Sequence, residues 1–199
     1  PVHPQQPDRG RREFQFSQRL WIERDDFLEQ APKGYFRLFP GNRVRLRYGY
    51  VVECTGVEKD GDGRVTRVLA NYLPDSRSGT PGADQYKVKG NIHWLSQTDA
   101  VPLEVRLYDR LFTEPFPEDV EEGEHFLDNL NPASLDTLSN AFVEPGLADA
   151  APGARYQFER LGYFVVDPDS VSGKPVFNKT VGLKDTWARI EKAQAAAPA

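Results

Sequence analysis

The chain has 199 residues, enough for one large domain or two small ones, and 39% of them are hydrophobic against 28% charged. That balance supports a packed core and excludes a broadly disordered chain. A net charge of −5 argues against a sequence-blind nucleic-acid binder, and no apolar stretch approaches the ~20 residues of a membrane helix, so no membrane contact is expected.

Residues 1–12 are rich in Pro, Gln and Arg without apolar period, as in an extended arm. Residues 13–22 alternate bulky apolar and polar side chains (Phe14, Phe16, Leu20, Ile22), which predicts a half-buried strand. Residues 23–30 suit a short helix. Over 42–58 the alternation predicts one strand, with Val44, Leu46, Tyr48 and Tyr50 on one face and Arg45 and Arg47 on the other. Asp60-Gly61-Asp62-Gly63 holds two Asp-Gly pairs, a strong hairpin signal before a returning strand over 64–73. A polar loop follows over 74–84, then strands over 86–96 and 103–112. Residues 115–146 read as short helical turns, with a cap at Asn131-Pro132 and Phe126, Leu127, Leu130, Leu135 and Leu138 as apolar anchors. Strands return over 156–166 and 174–181, and a short helix is expected over 187–193 before an Ala-rich tail. Many short strands with frequent turn signals predict an all-β chain built as a barrel or sandwich.

The single cysteine, Cys54, sits in the apolar run Val51-Val52-Glu53-Cys54 and reads as a packed residue; no internal disulfide is possible, which fits a cytoplasmic protein. The chain contains no Met and opens on Pro1-Val2-His3-Pro4, so it is expected to be part of a longer protein. Basic residues cluster at Arg9, Arg11, Arg12 and Arg19 and again at Arg37, Arg43, Arg45 and Arg47, while acid collects at Glu114, Glu118, Asp119, Glu121, Glu122 and Glu124. Such segregation can present a basic face to phosphates in an acidic protein, and it equally describes ordinary solvated faces. His3, His93 and His125 are far apart, and no pair has metal-ligand spacing. No Gly-rich phosphate loop or nucleophile turn is present. The residues therefore favour a binding module over a catalyst.

Seven stretches carry a more specific signal. They are Leu20-Trp21-Ile22-Glu23-Arg24-Asp25-Asp26-Phe27, Val44-Arg45-Leu46-Arg47, Lys87-Val88-Lys89-Gly90-Asn91-Ile92-His93-Trp94, and Glu104-Val105-Arg106-Leu107-Tyr108-Asp109-Arg110-Leu111-Phe112. They continue with Asn131-Pro132-Ala133-Ser134-Leu135, Gln157-Phe158-Glu159-Arg160-Leu161-Gly162-Tyr163-Phe164, and Val176-Phe177-Asn178-Lys179-Thr180-Val181-Gly182-Leu183-Lys184-Asp185-Thr186-Trp187. In this order, across about residues 13–189, the set resembles the C-terminal anticodon-binding region of the glutaminyl-tRNA synthetases, class I aminoacyl-tRNA synthetases.

The resemblance implies two antiparallel β-barrels of the ribosomal protein L25-like type, the distal one inserted in the proximal one. On this chain it places an arm and the start of the proximal barrel at 1–31, the distal barrel at 32–113, the rest of the proximal barrel at 114–189 and a tail or linker at 190–199. It implies that the parent protein is a monomeric ligase that joins glutamine to tRNA(Gln) with ATP and magnesium. The family's two ATP-site signatures are absent here, and Val171-Ser172-Gly173-Lys174 is not one of them. The fragment is therefore expected to need no cofactor and to have no ligase activity. Four positions match family residues at the anticodon: Arg45 at the first base, Arg37 beside the third, and Gln157 and Arg160 at the middle uracil. Gln5 falls where some members place an Asn near the anticodon stem. Phe36 departs from the basic residue that some members carry beside the Arg37 position. The alternation places Arg45 outward from the barrel core, so its removal is expected to leave the fold intact. An archaeal or eukaryotic-type glutamyl-tRNA synthetase shares the architecture, and a non-catalytic rRNA-binding L25-like barrel is a further alternative.

Overall fold

A computed structural model describes residues 5–13 and 15–183, and shows an all-β, barrel-like chain in two compact units. One unit comprises 15–99; the other joins 5–13 to 100–183, so the first is contained within the second in sequence. The expected helix at 187–193 and the tail at 190–199 lie outside the described residues, as do Phe14 and the end of the last family stretch.

The 15–99 unit has six strands: β1 (Leu20–Trp21), β2 (Arg43–Leu46), β3 (Val51–Lys59), β4 (Val65–Leu73), β5 (Gly90–Ile92) and β6 (Leu95–Ser96). β1 pairs with β6, and the rest form a sheet in the order β4-β3-β2-β5, with β2 and β5 parallel. Val44 and Leu46 alternate inward from β2 and pack with Phe27, Leu38, Val52, Cys54, Ile92 and Trp94; Leu20 and Ile22 flank them. Leu20, Ile22, Phe27 and Leu38 thus belong to or flank this core, and residues 15–31 group with 32–99 in this unit.

The single strand expected over 42–58 is instead a hairpin. The chain turns at Arg47–Tyr50, where the Leu46 carbonyl accepts from Gly49 N–H (2.8 Å) and Tyr48 takes φ 61°. Tyr48 is therefore exposed in the turn rather than aligned with Val44 and Leu46. The Asp-Gly signal is met: Asp60 Oδ1 accepts from the backbone N–H groups of Asp62 (3.0 Å) and Arg64 (2.8 Å), and Gly63 takes φ 79° between β3 and β4. The short helix expected over 23–30 is a single 3₁₀ turn, Arg24–Asp26. The strand expected over 13–22 is confined to β1, and that over 86–96 divides into β5 and β6.

The other unit holds β7 (Val101–Tyr108), β8 (Leu135–Val143), β9 (Arg155–Phe158), β10 (Gly162–Val166) and β11 (Val176–Gly182) in one sheet ordered β8-β7-β11-β10-β9. β7, inside the range 32–113 expected for the inserted barrel, pairs with β8 and in parallel with β11. Leu103, Val105, Val143, Phe164, Val166 and Phe177 form the core, and Phe158 stacks on Phe164 at 4.5 Å between centroids.

Two expectations are corrected here. Residues 135–143 form an edge strand, not helical turns; Asn131 caps no helix, and its Oδ1 accepts from Ala133 N–H (3.0 Å) in the turn leading to that strand. Of the expected anchors, only the segment Phe126–Asn129 makes a 3₁₀ turn, and Phe126, Leu127, Leu130, Leu135 and Leu138 are all exposed. An edge strand packs few residues inward, and β8 contributes chiefly Ala141 and Val143. The acidic residues of 114–124 are solvent-exposed, and among the described residues no helix is long and apolar enough to cross a membrane.

Candidate nucleic-acid interface

Each unit carries part of the expected site. In the 100–183 unit, Gln157 and Arg160 come from one hairpin. The sequence expects a continuous strand over 156–166, but the chain reverses between β9 and β10: Leu161 N–H donates to the Phe158 carbonyl (3.0 Å), and Arg160 takes φ 71°. A side chain in that left-handed region costs roughly 1–2 kcal/mol. Gly162 follows at φ 149°, where a Cβ would lie 2.5 Å from the Val181 carbonyl, so only glycine lets the hairpin close against β11. Inward residues Tyr156, Phe158 and Phe164 pack toward Phe177, and the alternation sends Gln157 outward.

Gln157 is exposed and directly opposite Tyr163, itself 45% exposed. Opposed residues of an antiparallel pair share a face with Cβ atoms about 5 Å apart. The hairpin thus offers an amide, a phenol ring and, at its exposed tip, the Arg160 guanidinium. Tyr163 was not singled out from the sequence; the register, hidden while 156–166 read as one strand, identifies it. Gln5, also exposed, lies in the arm of the same unit.

Arg37 and Arg45 belong to the 15–99 unit and are engaged within it. Arg45 alternates away from the core as expected, but its guanidinium is half-buried under the following loop. Nη1 donates to the Ser76 carbonyl (2.6 Å) and Ser78 Oγ (3.2 Å), and Nη2 to the carbonyls of Ala83 (3.1 Å) and Tyr86 (3.3 Å). Fully buried Ser76 adds to the tie by accepting from Val51 N–H (2.7 Å). The sequence expects Arg45 to be removable without unfolding the barrel; here its guanidinium fastens a loop with few apolar residues by the loop's carbonyls. Arg37 Nη1 donates to the Asp25 carbonyl (3.0 Å), and Nε lies 3.3 Å from a carboxylate oxygen of fully buried Asp26. Asn42 Nδ2 holds the Arg37 carbonyl (2.8 Å).

Among the described residues no group of three or more His, Cys, Asp or Glu could hold a metal ion. Val171-Ser172-Gly173-Lys174 forms a tight turn, bridged between Val171 and Lys174, with Ser172 Oγ donating to Asp149 (2.7 Å). Cys54 is buried, which pushes its thiol pKa up and away from nucleophilic use.

Amide, guanidinium and aromatic groups on the outer faces of small sheets are chemistry with which proteins read unpaired bases. Two family models, each described as tRNA synthetases class I (E and Q), anti-codon binding domain, match residues 1–73 and 91–167. The chain belongs to this family of anticodon-binding domains. It is 65% identical over 190 residues to the glutamine–tRNA ligase of Cupriavidus metallidurans, covering 95% of this chain and 32% of the relative. The glutamine–tRNA ligase of Ralstonia nicotianae is 62% identical with the same coverage, and that of Bordetella avium 61% identical over 94% of the chain and 32% of its own length. The chain spans about a third of the length of the curated relatives it matches.

Proposed function

We propose that this chain binds the anticodon stem-loop of tRNA(Gln), as a monomeric module of a cytoplasmic ligase whose ATP- and magnesium-dependent chemistry lies outside these residues. The observation that carries the reading is identity of 61–65% with glutamine–tRNA ligases over nearly the whole chain. The geometry supports it at the hairpin. Gln157 can donate to and accept from a uracil edge, Arg160 supplies forked donors, and Tyr163 offers a stacking face.

Arg37 and Arg45 take a different part in this proposal. With their guanidinium groups directed at internal acceptors, Arg45 holds the segment 76–86 in the shape that meets the first anticodon base and Arg37 holds the segment 25–37 in the shape that meets the third. Gln5 approaches the stem. The test is titration of the chain, at one stated salt concentration, with stem-loops carrying the glutamine anticodon, the same anticodon with its middle base changed, and a glutamate anticodon. Tightest binding of the first supports the proposal. Equal affinity for all three overturns it, and preference for the third assigns the module to the glutamate enzyme.

A further inference from the structure

With Arg37 and Arg45 turned to internal partners, the segments that lead into β2 and β5 present other groups. Phe36, beside Arg37 in the chain, is 53% exposed. The Lys89 ammonium lies over its ring, 5.1 Å from the centroid. Gly90 explains why these two segments lie so close. A Cβ at Gly90 would stand 2.3 Å from the Phe36 carbonyl oxygen and 2.6 Å from Val44 Cγ1, so the backbone at Phe36 rests directly on the start of β5.

Asn91 follows two residues after Lys89, is exposed, and is the register partner of Arg45 in the parallel ladder. Strand alternation puts Lys89 and Asn91 on the same side of β5. The fold therefore brings an aromatic ring, an ammonium and a primary amide to the start of β5, where Asn91 lies in the strand and the backbone at Phe36 packs closely on Gly90. An exposed phenyl ring gains nothing for the core of this unit, and a cation over it favours a polar, anionic ligand. An unpaired nucleotide matches all three groups: its base stacks on the ring, its phosphate meets the ammonium, and its edge pairs with the amide.

We infer that Phe36, Lys89 and Asn91 form a binding position for one splayed-out nucleotide of an RNA loop. The inference rests on the anticodon reading above and adds a stacking site that the matched arginines do not supply.

The test uses the 199-residue chain and glutamine stem-loops with 2-aminopurine placed at each loop position in turn. Phe36→Leu keeps the apolar bulk and removes the ring; it is expected to weaken binding roughly 5- to 150-fold, the range set by loss of one base–aromatic stack, and to abolish the fluorescence quench at one loop position only. Phe36→Trp is expected to bind at least as tightly as the wild type. Lys89→Gln is expected to reduce the slope of log affinity against log salt by about one, and Lys89→Arg to preserve it. Melting curves of all four variants should overlay the wild type, because the side chains are exposed. Wild-type affinity and quenching in Phe36→Leu, with affinity lost in Gln157→Ala, overturns this site while leaving the anticodon reading intact. Failure of the wild type to prefer the glutamine stem-loop overturns both.

Discussion

Arg45 joins strand β2 to the 76–86 loop through two backbone carbonyls on Nη2 and a carbonyl and a hydroxyl on Nη1. Hydrogen bonds from a charged donor contribute more than neutral ones, and deleting the donor strands its acceptors. Arg45→Ala is therefore expected to lower the unfolding free energy by about 2 kcal/mol, read from urea transitions with an unchanged slope; a loss near zero would return Arg45 to the solvent and free it for direct base contact. Arg45→Lys keeps the charge without the fork and should recover less than half. Arg37→Ala removes a counter-charge from the buried Asp26 carboxylate and should cost about 3 kcal/mol, and Asp26→Asn in the same chain should restore part of it, since the buried charge goes too. Cys54 supplies a check on packing at the same scale: its raised thiol pKa and burial should protect it from alkylation at neutral pH until the chain is unfolded.

The two reversals at Arg47–Tyr50 and at 159–161 decide how each unit presents its groups. Both place a residue other than glycine at positive φ, Tyr48 and Arg160, whose side chains carry no preference for that conformation. Arg160→Gly relieves that strain and should weaken binding to the glutamine stem-loop; a variant less stable and equally tight would make Arg160 structural. Gly90→Ala should cost about 2 kcal/mol or more, because its new methyl meets backbone and Val44. These elements also mark what was legible beforehand. The β3–β4 hairpin was, because Asp60 and Gly63 are the residues such a turn requires. The inward face of Val44 and Leu46 on β2 was, because their alternation is regular. Strand β8 was not, because an exposed edge strand needs no alternation. In the site, Gln157 and Arg160 were reached through family resemblance. Tyr163, Lys89 and Asn91 needed the register, and the internal bonds of Arg37 and Arg45 join residues up to 41 positions apart.

At the scale of the whole chain, the unit containing β7–β11 should lose stability in acid. The Asp167 carboxyl is held below its usual range, first by the Asp169 backbone N–H (2.8 Å), then by the Asn178 amide and by Arg106. A carboxyl with a depressed folded pKa stabilises fully above its unfolded value of about 3.9 and loses that contribution as pH falls through the folded value. Stability should therefore drop below about pH 4, and Asp167→Asn should flatten that drop. Catalysis should be absent at every pH: the chain is expected to form no glutaminyl-adenylate and to support no ATP–pyrophosphate exchange. The most direct test of the central claim is a cycle of four affinities at fixed salt, combining wild type and Gln157→Ala with stem-loops whose middle anticodon base is uracil or cytosine. If this hairpin reads the base, the wild type prefers uracil by about tenfold or more and the variant binds both alike. Equal binding of the two loops by the wild type, or an unchanged preference in the variant, would contradict it.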